Sequence, residues 1–248
     1  MKKLILFILL FPVLAWAGPG YMVFDSNAVP AAGCSTPTGD VMYESFGDDS
    51  TACTSGGTEA CINTWTINGD SQTFKESLPG SPPSGSCTYG LLSDTVDAAE
   101  NAERIYIDMG DPISYETSTD VVFSLYVDST TTIDNNQNLA FMTIGANNAG
   151  TSSYCVSIRL WNASGTLKLY IYGSTQASAT ISTNTWYKVK VHLDGTAESS
   201  YFQVDDGGQT NFTRYDANKE FLVLGSVTNE NDGESLKFYL GYVYVDNP

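Results

Sequence analysis

Basic residues and histidine are scarce in this 248-residue chain. It contains 11 Lys and Arg residues against 28 Asp and Glu residues, which gives a formal net charge of −17. This charge repels phosphate backbones, so we expect no nucleic-acid partner. The single histidine, His192, has no Ser or Cys partner in a recognisable motif, so a catalytic triad is not supported. Zinc-binding Cys-x-x-Cys patterns and a phosphate-binding Gly loop before a helix are also lacking.

Hydrophobic runs of membrane-spanning length are lacking as well. The apolar run Leu4–Leu14 is too short to cross a bilayer comfortably, follows two lysines, and ends at the small-x-small sequence Ala15-Trp16-Ala17. Residues 1–17 are therefore predicted to be a cleavable signal peptide; the alternative is a buried N-terminal strand. Cleavage leaves 9 basic and 28 acidic residues. We expect a protein that is secreted or located at the cell surface, with no transmembrane segment.

A helical hydrophobic period is missing too, and strand-like alternation takes its place. No stretch of twelve residues keeps a 3.6-residue period, whereas Val121–Val127 and Tyr187–Leu193 alternate between apolar and polar residues. Short strands separated by frequent turns are typical of an all-β sandwich of two antiparallel sheets. Aromatic residues make up 12% of the chain, which argues against disorder.

Cysteines are few and unevenly placed. Cys34, Cys53, Cys61 and Cys87 lie in the first third of the chain, where strands are sparse. Export favours disulfides, and Cys53–Cys61 with Cys34–Cys87 is one plausible pairing among the three possible. Cys155 is left over, and we predict that it is a buried, inert thiol.

The C-terminal quarter carries a resemblance to a known family. Its landmarks are Trp186-Tyr187-Lys188-Val189-Lys190-Val191-His192-Leu193-Asp194, the hairpin Val204-Asp205-Asp206-Gly207, Leu224-Gly225, and Tyr242-Val243-Tyr244-Val245-Asp246-Asn247. This order resembles the laminin-G-like jelly rolls of the concanavalin A-like lectin and glucanase superfamily. The resemblance is clearest over 186–247 and weaker back to Val41. It implies a jelly-roll domain over residues 41–248, preceded by an arm or linker over 18–40.

Aromatic side chains are expected on one outer face of the sandwich. Alternation places Arg159, Trp161, Tyr170 and Tyr172 on the non-core face of two adjacent strands, and we expect Tyr126 to join them. Aromatic rings stack on the C–H faces of sugars while polar groups bind hydroxyls. The superfamily's lectins often use such a face, so these five residues are predicted to bind carbohydrate. The alternatives are that they form ordinary cross-strand pairs or that they lie on the convex sheet.

The resemblance also implies a structural calcium ion. In many superfamily members the ion bridges the start of the first strand and the end of the last. Glu44 and Asp246 occupy corresponding positions here, and Asp70 is a possible third ligand. Carboxylate oxygens suit Ca²⁺. The alternative is unrelated surface acids in an acidic chain.

Enzymatic function is the last possibility that the sequence raises. The spacing Glu230-x-Asp232-x-Glu234 matches a glucanase motif, but Asn and Gly separate the acids, which predicts a loop without catalytic function. We therefore expect a non-catalytic module that binds a glycan or another cell-surface ligand. The alternatives are a structural or adhesion protein and a glycan hydrolase or lyase of the same fold.

Overall fold

A computed structural model describes ten segments of the chain. These are residues 42–44, 46, 66–68, 75–83, 89–96, 104–109, 117–148, 153–196, 199–225 and 234–246. The predicted signal peptide, the arm over 18–40 and four of the five cysteines lie outside the described residues. The exception is Cys155. None of the described segments forms a helix that is long and apolar enough to cross a membrane.

Every regular element in these segments is a β-strand, as the sequence predicts. The strands are β1 (Met42–Glu44), β2 (Thr66–Asn68), β3 (Lys75–Ser77), β4 (Tyr89–Val96), β5 (Arg104–Asp108), β6 (Thr119–Val127), β7 (Asn138–Gly145) and β8 (Tyr154–Ala163). They continue with β9 (Thr166–Tyr172), β10 (Gln176–Thr180), β11 (Trp186–Leu193), β12 (Ser200–Val204), β13 (Thr210–Phe212), β14 (Phe221–Gly225) and β15 (Ser235–Asp246).

The strands form two antiparallel sheets. Sheet I has the order β13-β12-β11-β6-β15-β4-β3, with β1 also pairing with β15, and sheet II has the order β10-β9-β8-β7-β14-β5-β2. Neighbours such as β6 and β15 are far apart in the sequence, as in a jelly roll, whereas β8-β9 and β9-β10 are hairpins. The fold is therefore an all-β, two-sheet antiparallel jelly-roll sandwich.

The main core lies between the sheets, and a small second cluster is formed by Ala140 and Val223 with Tyr106 and Phe221. The alternating residues Val121, Phe123 and Leu125 of sheet I are fully buried, as predicted. The ring of Phe123 meets that of Phe141 in sheet II edge to face, with centroids 6.1 Å apart, and Phe141 also contacts Phe238. Because both sheets bury one face against the other, each sheet has one outer face available for function.

One end of the sandwich is sealed by the segment 213–220, which connects β13 of sheet I to β14 of sheet II. Arg214 is buried and donates hydrogen bonds to the backbone oxygens of Asp194 and Gly195 at 2.7 and 3.0 Å. Lys219 is fully buried and donates to the Thr117 carbonyl. Cys155 is a buried free cysteine, as predicted, and burial raises the pKa of its thiol, which keeps it protonated and unreactive.

Buried Lys219 makes the stability of this end pH-dependent. Burial lowers the pKa of Lys219 from 10.5 to about 8. Between these pH values the folded state has lost a proton that the unfolded state still holds, so stability rises with pH. The lowered pKa corresponds to about 3 kcal/mol. We expect the unfolding free energy of the wild type to gain roughly this amount over that of Lys219→Met between pH 8 and 10.5. Denaturant titrations measure it, and parallel pH profiles would contradict the assignment.

Candidate functional site

The β8-β9 hairpin positions the predicted binding residues. Its turn contains Ser164 and Gly165, both with positive φ (53° and 89°), the conformation that a tight two-residue hairpin turn needs. The register then places Arg159 opposite Tyr170, Trp161 opposite Lys168, and Ser157 opposite Tyr172. Because Leu160, Leu169 and Ile171 are in the core, these pairs point away from it. The structure thus brings four of the five predicted residues together on the outer face of sheet II.

Five aromatic rings form a continuous surface on this face. The centroids of Trp161 and Tyr170 are 5.3 Å apart, and those of Tyr170 and Tyr172 are 6.1 Å apart. Tyr154 and Tyr215 extend the series, each packing against Tyr172 at 6.2 and 6.3 Å. We call these five residues the aromatic surface. All five are only partly buried, so their rings combine fixed positions with access to solvent.

Three tyrosine hydroxyls of the aromatic surface remain hydrogen-bond donors at neutral pH. Burial raises the pKa of Tyr154, Tyr170 and Tyr215 above the usual value of 10.0. A phenol that stays protonated both donates and accepts a hydrogen bond. Sugar hydroxyls require both kinds of partner.

Two cations lie against the rings. The guanidinium carbon of Arg159 is 4.2 Å from the ring centre of Tyr172, and the Lys168 ammonium is 5.3 Å from that of Trp161. Arg159 also donates from Nε to Ser157 Oγ at 3.1 Å and from Nη1 to Asn138 Oδ1 at 2.8 Å. These contacts fix the orientation of the guanidinium and hold its plane on an aromatic face.

Small, buried side chains adjoin the aromatic surface on the same outer face. Ser157 and Thr143 are opposite each other on β8 and β7, and Thr143 is opposite Val223 on β14. All three are at most 1% exposed. Within the described part of the chain, Thr143 Oγ1 is the buried side-chain polar atom that has no hydrogen-bond partner.

Tyr126 is in a different place from the one predicted. It lies on β6 of sheet I, so its outer face is on the opposite side of the sandwich from Trp161, and the expectation that it joins the other four residues is wrong. Strand alternation gives the face of a residue but not the sheet, which depends on long-range pairing. Tyr126 instead packs against Trp186 and Tyr239, with centroids 5.3 and 5.8 Å apart.

The aromatic cluster around Tyr126 has internal partners for its polar atoms. Trp186 Nε1 donates to the Pro79 carbonyl at 2.8 Å, and the Tyr126 hydroxyl donates to Asn184 Oδ1 at 3.2 Å. These hydrogen bonds attach the segment 78–83 and the turn that contains Asn184 to sheet I. We therefore assign this cluster a structural role.

The predicted calcium ligands are only partly described. β1 pairs with β15, so the first strand does meet the last, but Glu44 is opposite Val243, three residues from Asp246. Asp70 lies outside the described residues. Glu44 and Asp246 alone would supply too few oxygens for the six to eight that Ca²⁺ takes. No group of three His, Cys, Asp or Glu residues within the described segments could hold a metal ion. Calcium binding stays a prediction.

The remaining titratable groups serve sheet I and the strand ends. Asp120 accepts hydrogen bonds from Lys190 Nζ and His192 Nδ1, both at 2.7 Å, and the His192 ring stacks on Tyr201. Glu234, the last acid of the glucanase-like spacing, is 2% exposed and accepts a hydrogen bond from the Asp134 backbone N–H at 2.9 Å. Glu230 and Asp232 lie outside the described residues.

The comparisons with known proteins give a fold likeness. The sequence matches no protein-family model and no curated protein. Among solved structures, a sialidase superposes with a TM-score of 0.48 and 13% identity, over 74% of this chain and 17% of that one. A structure of botulinum neurotoxin type C, whose cell entry is described as dependent on interaction with two ganglioside molecules, has a TM-score of 0.47 and 12% identity. This match covers 74% of this chain and 42% of that one. An endo-β-1,4-glucuronan lyase from the fungus Trichoderma reesei has a TM-score of 0.48 and 13% identity, over 75% of this chain and 89% of that one. The chain thus spans less than half of the sialidase and the neurotoxin fragment.

Proposed function

We propose that this chain is an exported, non-catalytic carbohydrate-binding module whose ligand lies on the aromatic surface of sheet II. The ligand is a glycan, free or at a cell surface. The observation that supports this most strongly is the continuous series of five partly exposed rings from Trp161 to Tyr215. Soluble proteins expose such contiguous patches mainly where they bind something.

The polar groups around the rings support a sugar over a protein ligand. Tyrosine hydroxyls and the Arg159 guanidinium provide hydrogen-bond donors and acceptors next to apolar ring faces. A sugar presents the complementary pattern, with apolar C–H faces and a rim of hydroxyls.

A broad glycan array tests the proposal. The chain over residues 18–248 is applied with calcium present, alongside Trp161→Ala as a second sample. We expect binding to a set of glycans by the first sample and its loss in the second. A blank array from a well-folded sample would contradict carbohydrate binding and favour an adhesion protein. Loss of a glycan substrate or release of products during incubation would instead indicate a hydrolase or lyase.

A further inference from the structure

The acidic residues of this chain avoid one region completely. The 59 residues from Asn135 to Leu193 contain no Asp or Glu, although the whole chain contains 28. This region forms β7, β8, β9 and β10, which are four adjacent strands of sheet II, and β11 of sheet I. Four of the five residues of the aromatic surface therefore lie on strands without any carboxylate, in a protein whose net charge is −17; the fifth, Tyr215, precedes Asp216.

The cations of this face lack the carboxylate partners that cations elsewhere have. Lys188 and Lys190 on sheet I form ion pairs with Asp206 and Asp120 at 3.3 and 2.7 Å. Arg159 and Lys168 have no carboxylate within 4 Å in the described segments; their contacts there are Ser157, Asn138 and aromatic rings. Among the described residues, no ion pair compensates their positive charge.

An uncompensated pair of cations in an acidic protein favours an anionic ligand. The general negative field repels anions, so an anion approaches most closely where cations are present and acids are sparse. A guanidinium whose orientation is fixed offers donors that match a carboxylate or sulfate, and an ammonium adds a point charge. Hydrogen bonds to charged groups are roughly twice as strong as neutral ones, so these two side chains would dominate selectivity.

We infer that the aromatic surface binds acidic glycans, with a sugar carboxylate or sulfate held by Arg159 and Lys168 while the pyranose rings pack on Trp161 and Tyr170. The inference rests on the proposed function and names the ligand class of the same site. It adds a role for Lys168, which a neutral glycan would not require. The preference for charged ligands would then arise at the outer face of sheet II.

Matched polysaccharides test the inference. The probes are polygalacturonate and its carboxyl-reduced form, dextran sulfate and dextran, and the neutral glucan laminarin. Calorimetry with the exported protein is expected to show at least about tenfold tighter binding to a charged polymer than to its neutral counterpart, weakening as salt rises. Preference for polygalacturonate identifies a carboxylate as the bound group, and preference for dextran sulfate identifies a sulfate.

Variants that remove or alter a positive charge show which face of the sandwich causes the preference for charged polymers. Lys168→Gln is expected to lower affinity for the charged polymer about five- to tenfold and to leave affinity for its neutral counterpart unchanged. Lys188→Gln removes the same charge from sheet I and should change neither affinity. Arg159→Lys keeps the positive charge but lacks the planar guanidinium with its several donors, so it should lose part of the selectivity for charged polymers. The unfolding temperature of this variant reports whether the β8-β9 hairpin is intact.

The outcomes separate the two proposals. Equal affinity for charged and neutral polymers, abolished by Trp161→Ala, would overturn acidic-glycan selection and leave carbohydrate binding intact. A preference for charged polymers that Lys188→Gln removes and Lys168→Gln does not would overturn the assignment to this face. Failure of the folded protein to bind any of the probes, together with a blank array, would overturn both.

Discussion

Trp161→Ala is expected to weaken glycan binding by about 30-fold or more, because truncating an aromatic anchor of a binding surface typically costs about 2 kcal/mol or more. Trp161 lies at one end of the aromatic surface, where its ring packs at a tilt against Tyr170 and the Lys168 ammonium lies 5.3 Å from its ring centre. Removing the indole takes away the largest ring and a contact that positions a cation. Calorimetric titration with the best array ligand measures the loss.

Trp186→Ala is the matched control, since it makes the same truncation on sheet I. Trp186 packs against Tyr126 and bonds to the Pro79 carbonyl, so the substitution should lower stability and leave glycan affinity unchanged. Trp161→Phe keeps a ring at the site and should recover most of the binding. Equal losses from Trp161→Ala and Trp186→Ala would contradict the placement of the site.

Arg214→Met is expected to destabilise the protein by about 3–5 kcal/mol, since buried groups that lose a hydrogen-bond partner cost about 1–3 kcal/mol each. The Arg214 side chain donates to the carbonyls of Asp194, Gly195 and Tyr215, at 2.7, 3.0 and 3.0 Å. Methionine fills a similar volume but leaves these oxygens without their donor. Thermal unfolding should occur about 10 °C lower for a domain of this size.

Arg159→Met tests whether the loss of stability expected for Arg214→Met depends on the burial of the arginine. Arg159 is partly exposed and bonds to two side chains that water can reach after substitution, so we expect a loss of about 1 kcal/mol. An unfolding temperature for Arg214→Met that equals that of the wild type would show that the segment 213–220 does not seal the sandwich end.

Alternation in the sequence predicted the strands that matter for the site. Leu160, Leu169 and Ile171 are in the core, and Arg159 and Trp161 alternate with them, because a strand that buries one face must carry its apolar residues at every second position. β4 was not predicted, since Gly90, Ser93 and Asp94 interrupt its pattern. A Cβ on Gly90 would lie 2.3 Å from the Leu240 carbonyl oxygen, so this glycine permits the close approach of β15.

Sheet membership and loop residues could not be predicted from the pattern. Tyr126 has the expected outward position, but its pairing with Tyr239 and Trp186 places it on sheet I. Tyr215 belongs to the aromatic surface although it lies in the irregular segment 213–220, where no periodicity fixes a direction. The absence of acids from Asn135 to Leu193 is a signal in the sequence that becomes meaningful once β7–β10 are known to be neighbours.

Fluorine NMR of protein labelled with 5-fluorotryptophan tests the central claim most directly. Trp161 and Trp186 lie on opposite outer faces of the sandwich, and single Trp→Phe variants assign their resonances. During titration with the best array ligand, binding at the aromatic surface predicts a saturable shift of the Trp161 resonance and an unchanged Trp186 resonance. A shift of Trp186 alone, or binding that leaves Trp161 unmoved, would contradict the proposed site.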